Sequence, residues 1–99
     1  HAHLNNCTGV LVENVGVLSP SIEKRYQWHS TGGMGISNPS GVLFHVRNMT
    51  VAQGDDNWEV TGSFAAPTHN VLIEDSFQGT GDGGNDHGHV HHVTYRNVK

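Results

Sequence analysis

Apolar residues in this chain alternate with polar ones in short runs and do not recur at helical spacing. Four of the runs align without gaps: Val10-Leu11-Val12-Glu13-Asn14, Phe44-His45-Val46-Arg47-Asn48, Val71-Leu72-Ile73-Glu74-Asp75 and Val93-Thr94-Tyr95-Arg96-Asn97. Each reads apolar, variable, apolar, variable, then Asn or Asp. A period of two in β-branched and aromatic residues predicts a strand with one buried face. Asn or Asp at its end suits a bend into the left-handed region.

The Asn/Asp positions are 34, 27 and 22 residues apart (14 to 48, 48 to 75, 75 to 97), within the range of solenoid repeats. A sandwich of hairpins calls for turn signals about every 8–12 residues, and the chain has no Asn-Gly dipeptide. The prediction is therefore an all-β chain, a right-handed parallel β-helix (solenoid) of about four coils, with residues 1–99 as one segment. A single coil cannot bury its apolar face, and neighbouring coils place like residues above like. Asn14, Asn48, Asp75 and Asn97 would form a ladder of about 4.8 Å per step. Open strand edges at both ends imply a fragment, an oligomer, a longer parent chain or missing caps.

Composition supports the class. Of 99 residues, 34% are hydrophobic, 14% are charged and 13 are Gly, which argues against a helical bundle and for short strands joined by turns. The net charge of −4, with five Lys and Arg in all, provides no basic stripe for nucleic acid or an anionic membrane. No run is long and apolar enough to be read as a membrane span. Cys7 is the single cysteine, so the sequence cannot form an internal disulfide, and no zinc-finger spacing is present. The chain opens on His1 without a signal peptide, which suggests processing or excision from something longer. Two sequons, Asn6-Cys7-Thr8 and Asn48-Met49-Thr50, fit a secreted protein.

Two stretches carry candidate chemistry. Residues 19–29 fall where the first coil is overlong and are expected to form a loop, in which Arg25, Tyr26 and Trp28 either stack on sugar rings or pack onto the barrel. Asp55 and Asp82 each lie seven positions past a ladder residue, and Asp56 follows Asp55. Three carboxylates on one face repel, which raises at least one pKa and supplies a proton donor near neutral pH. An inverting glycosidase uses an acid and a base holding water, about 6.5–9.5 Å apart. Aspartates at β-helix turns also serve simply to satisfy backbone N–H groups or accept a lone cation.

The stretch Ser40 to Asp56 resembles the strand that leads into the Gly-Asp-Asp motif of family 28 glycoside hydrolases, the polygalacturonases, within the pectate-lyase-like β-helix superfamily. Asn70 to Gly83 is similar to that family's next coil. The resemblance implies that Asp55 is the general acid and that Asp56 helps activate water. The chain departs from the family in three places. Gly32, in Ser30-Thr31-Gly32-Gly33, stands where the family has a carboxylate. The family's Gly-His-Gly histidine falls on Asp82. Its Arg-x-Lys substrate clamp is not matched by the spacing of Arg96 and Lys99.

His87, His89, His91 and His92 cluster near the chain end, and strand alternation would put His87, His89 and His91 on one face. Three imidazoles so placed can hold a divalent transition metal, but solvated side chains are the commoner use, and no metal or other cofactor is assigned. The stretch Gly81 to Asp86 has the composition of calcium-binding β-roll turns but occurs once, whereas such sites need successive turns. The combined expectation is a secreted, carbohydrate-active β-helix. It would be an inverting polysaccharide hydrolase, on a pectin-like or neutral polymer, or a catalytically degenerate relative. Asp55, Asp56 and Asp82 are the catalytic candidates, and Arg25, Tyr26, Trp28 and His87 are the candidates for binding substrate. The alternative is a non-catalytic structural or carbohydrate-binding module, adhesin-like or tail-fibre-like.

Overall fold

The computed structural model of the chain describes residues 2–4, 7–18, 34–52, 57–78 and 84–99. Among the described residues there are ten strands and no helix: β1 (Ala2–Leu4), β2 (Val10–Glu13), β3 (Gly16–Leu18), β4 (Met34–Ile36), β5 (Phe44–Arg47), β6 (Thr50–Ala52), β7 (Trp58–Gly62), β8 (Thr68–Gln78), β9 (Gly84–Gly88) and β10 (Val90–Val98). Every pairing between them is parallel, and no two consecutive strands pair. Hairpins are thereby excluded from this part of the chain, since a hairpin reverses direction.

The strands fall into three ladders. The first is β1-β4-β7-β9, the second β2-β5-β8-β10, and the third β3-β6 with the end of β8. The 11-residue β8 belongs to both the second and the third. It joins them into one curled sheet, so the architecture is all-β with parallel strands in a half-barrel.

The four aligned segments pair in the register their sequences suggest. Val10, Phe44, Val71 and Val93 form one row, and Val12, Val46, Ile73 and Tyr95 the next inward row. Asn14, Asn48, Asp75 and Asn97 all take left-handed backbone, with φ of 59°, 49°, 50° and 54°. That conformation costs most L residues about 1–2 kcal/mol, and a short polar side chain offsets part of it by bonding locally. Here the bonding runs between rungs. Asn48 Nδ2 donates to Asn14 Oδ1 in a short hydrogen bond, and Asn97 Nδ2 donates to Asp75 Oδ1 at 2.9 Å.

The core lies inside the curl. Met34, Ile36, Phe44, Val46, Val51, Trp58, Val60, Val71 and Ile73 are buried on the middle rungs, while Val10, Val12, Val93 and Val98 at the outer rungs are only half-buried. Polar pins hold the corners. The Asn38 amide nitrogen donates to the carbonyls of Val42 at 3.0 Å and His69 at 2.8 Å, and the Asn38 backbone N–H donates to Thr68 Oγ1 at 2.9 Å. Trp58 Nε1 reaches Gln78 Oε1 at 3.0 Å, tying the first ladder to β8. Gly62 pairs with Gly88, and a Cβ on either would collide with backbone of the opposing corner, at the His89 or Gly62 carbonyl.

One expectation is corrected at the chain end. His87 lies in β9, His89 at a bend and His91 in β10. Gly88, at φ 77°, turns the chain between them, so the three histidines do not belong to one strand. Of the stretch Gly81 to Asp86, whose calcium-like composition occurs only once, residues 81–83 lie outside the described residues and 84–86 form the start of β9 paired to β7. Backbone pairing to the rung below overrides their turn-like composition.

The ladder bends yield an ordered series. Asn48→Gly is expected to destabilise least, because glycine keeps the left-handed backbone and loses only the side-chain bond. Asn48→Ala should cost about 1–3 kcal/mol from backbone strain plus that lost bond, and β-branched Asn48→Val more. Urea unfolding measures the order, and Val tolerated as well as Gly would contradict it.

Candidate functional site

The sequence-derived site lies almost wholly outside the described residues. Asp55, Asp56, Asp82, Arg25, Tyr26 and Trp28 fall in undescribed segments, and of His87 only the backbone, in β9, is described. What the described residues do bring together is the outer face of the second ladder.

Register stacks Glu13, Arg47, Glu74 and Arg96 in one outward row, alternating in sign from rung to rung. Adjacent like charges on a sheet repel, whereas opposite charges attract. The Arg47 guanidinium holds Glu13 Oε1 through Nε and Nη2, both at 2.8 Å. Arg96 likewise donates two bonds to Glu74 Oε1, from Nε at 3.1 Å and from Nη2 in a shorter contact. The other Glu74 oxygen, Oε2, lies 2.5 Å from His45 Nε2. With a side chain only 12% exposed, Glu74 is the hub of this face. Arg96 first and His45 second hold its carboxyl below the ordinary 4.5, against the opposing effect of partial desolvation.

Beside this row lies an open groove of about 520 Å³ lined by Leu43, Asn70, Leu72, His92, Thr94 and Arg96. Its size suits a small ligand, although the walls are shallow. At its N-terminal side, His69, His91 and His92 meet edge to face, with ring centroids 4.8 Å and 4.9 Å apart. His91 Nδ1 and His92 Nδ1 are 2.6 Å apart, a contact that requires one of the two nitrogens to be unprotonated. The His91 pKa is lowered from 6.5, by desolvation first and then by His69 and His92. His69 Nε2 is buried against Gly41 with no hydrogen-bond partner among the described residues. No set of three metal-ligating side chains occurs among the described residues.

The charged row does not stand out in the sequence, because Glu13, Arg47, Glu74 and Arg96 occupy the variable fourth slot of the aligned segments. The alternation of sign in that slot was the available signal.

Acid should weaken the fold in two stages. Both depressed groups favour the deprotonated folded state, so their contributions are present above the unfolded pKa values and are lost as pH falls through the folded ones. The His91 contribution fades below about pH 6.5, and that of Glu74 below about pH 4.5. Denaturant titrations across pH should show His91→Asn flattening the upper stage and Glu74→Gln the lower. An unchanged acid limb in Glu74→Gln would contradict the role given to that carboxylate.

No family model, no curated protein and no solved structure matches the chain.

Proposed function

We propose that the chain is a segment of a carbohydrate-active, right-handed parallel β-helix of about four coils, acting outside the cell on a polysaccharide laid across successive coils. The observation that carries this is the pairing on either side of the two acidic segments. Before them, Val51 of β6 pairs with Gln78 of β8, and after them Trp58 of β7 pairs with Gly84 of β9. Asp55 and Asp82 each stand four residues past that first paired position. The two segments therefore connect the same two ladders on neighbouring rungs.

Carboxylates at equal offsets in these two segments would suit acid–base work on a glycosidic bond. Asp55 would donate the proton to the leaving oxygen, Asp56 would orient the attacking water, and Asp82 would tune the acid by its negative charge. Arg25, Tyr26, Trp28 and His87 would line the sugar path. Gly32, where the polygalacturonase pattern has a second water-activating carboxylate, favours the other reading: a catalytically degenerate relative or a non-catalytic carbohydrate-binding module.

Release of reducing ends from pectic and neutral polysaccharides separates the two. With a hydrolase, Asp55→Asn should lower turnover about 10²–10⁴-fold, because an amide cannot deliver the proton. Asp56→Asn should be comparably severe. Asp82→Asn should be milder and shift the optimum to lower pH, since removing a negative neighbour lowers the acid's pKa. Equal activity in wild type and Asp55→Asn would refute the assigned acid, and a wild type inactive on every polymer would leave the binding module.

A further inference from the structure

The outer face of the third ladder carries a feature that neither the charged row nor the acidic segments account for. Val51 is buried, so the alternation of its strand turns Thr50 outward, and Phe77, paired with Thr50 on the next rung, is outward as well. Lys99 continues the row. Its N–H donates to the Ser76 carbonyl at 3.0 Å and its carbonyl accepts the Gln78 N–H at 2.6 Å, which sets it beside Phe77. Phe77 therefore has a neighbour on each side, and its 54% exposure is that of an outward position within the row. An open pocket of about 330 Å³ lies here, and its lining includes Asn48, Thr50, Asp75, Phe77, Asn97 and Lys99. That volume is at the small end of the range for bound small molecules.

The amide nitrogens of Asn48 and Asn97 each donate along the ladder, to Asn14 Oδ1 and Asp75 Oδ1. What the row presents to a ligand is therefore chiefly acceptor oxygen: the side-chain carbonyls of Asn48 and Asn97 and the Asp75 carboxylate, with the Thr50 hydroxyl beside them. An aromatic face next to a row of acceptors suits a sugar ring, whose C–H face is apolar and whose hydroxyls donate. Charge then selects among sugars. The described lining holds one carboxylate, Asp75, and one ammonium, Lys99, with no guanidinium to grip an acidic sugar at two points. Asp55 follows Thr50 by five residues and Asp82 follows Phe77 by five, so both acidic segments leave the ladder just past this row. We propose that Phe77 is the platform of a subsite for one uncharged ring of a neutral polysaccharide, with Asn48, Asp75 and Asn97 accepting its hydroxyls. This rests on the carbohydrate-active reading above and assigns its substrate to the neutral class.

Affinity electrophoresis through gels cast with soluble galactan, xylan, β-glucan or polygalacturonate tests the subsite, with Asp55→Asn run beside wild type so that binding is read apart from turnover. Wild type should be retarded in at least one neutral gel and less in polygalacturonate. Phe77→Ala should weaken the neutral-gel affinity about three- to ten-fold, and Phe77→Tyr, which keeps the aromatic face, should restore it. Asp75→Asn places at this bend the residue type that the other three rungs use and removes the negative charge. It should raise retardation by polygalacturonate and leave the neutral gels within about two-fold. Circular dichroism confirms the β fold of each variant. Reducing-end release, measured on the same proteins, separates the subsite from the hydrolase reading. A chain bound through Phe77 that releases no reducing ends keeps the subsite and loses the assigned acid, whereas a hydrolase whose neutral-gel affinity ignores Phe77→Ala loses only the subsite. No retardation of wild type in any neutral gel, wild-type affinity in Phe77→Ala, or stronger retardation by polygalacturonate than by every neutral polymer would overturn the inference.

Discussion

The described structure depends on the left-handed bend that follows the aligned apolar pair on each rung of the second ladder. A strand with a period of two keeps its apolar side chains inside only if every repeat turns at the same point, since a slip of one residue would move the whole apolar set to the outside. Asn14, Asn48, Asp75 and Asn97 impose that point by sharing one backbone conformation. Side-chain bonds between rungs couple Asn48 to Asn14 and Asn97 to Asp75. The inward rows headed by Val10 and Val12 follow from this register, and so does the pairing of β3 with β6 just beyond the bend.

The same register determines the electrostatics of the outer face. Parallel stacking brings each outward residue about 4.8 Å from its equivalents above and below, so a row of like charges would work against the fold. Alternation of Glu13, Arg47, Glu74 and Arg96 turns that proximity into attraction. Most of these groups are well exposed and each pair contributes little stability on its own. The stronger consequence is for specificity. A rung shifted by one position would place these charges against the core, and a rung joined out of order would set like against like.

Legibility in the sequence followed how much side-chain pattern each ladder needs. The second ladder was readable because its strands carry full apolar alternation and a fixed terminal Asn or Asp, from Val10–Asn14 through Val93–Asn97. The first ladder was not. Its strands include Met34–Ile36 and Gly84–Gly88, too short or too rich in glycine to show a period, and they are defined by backbone pairing to the rung beside them. That is why residues 84–86 looked like a turn and why His87, His89 and His91 looked like one strand: Gly88 bends the chain at a place the alternation of histidines does not mark. The charged row was present in the alignment, but its meaning depends on three-dimensional register. The carboxylates Asp55, Asp56 and Asp82 were singled out by spacing and resemblance, and they lie outside the described residues.

Parallel, in-register pairing of the aligned segments is read out by the interstrand nuclear Overhauser map of the isotopically labelled chain. Amide-to-α cross-peaks should link the Val12, Val46, Ile73 and Tyr95 neighbourhoods rung by rung, with no strong α-to-α cross-peaks between them, because only antiparallel partners bring two α-protons face to face. Strong α-to-α cross-peaks between β2 and β5 or between β5 and β8, or links displaced by one residue from the Val12–Val46–Ile73 row, would contradict it.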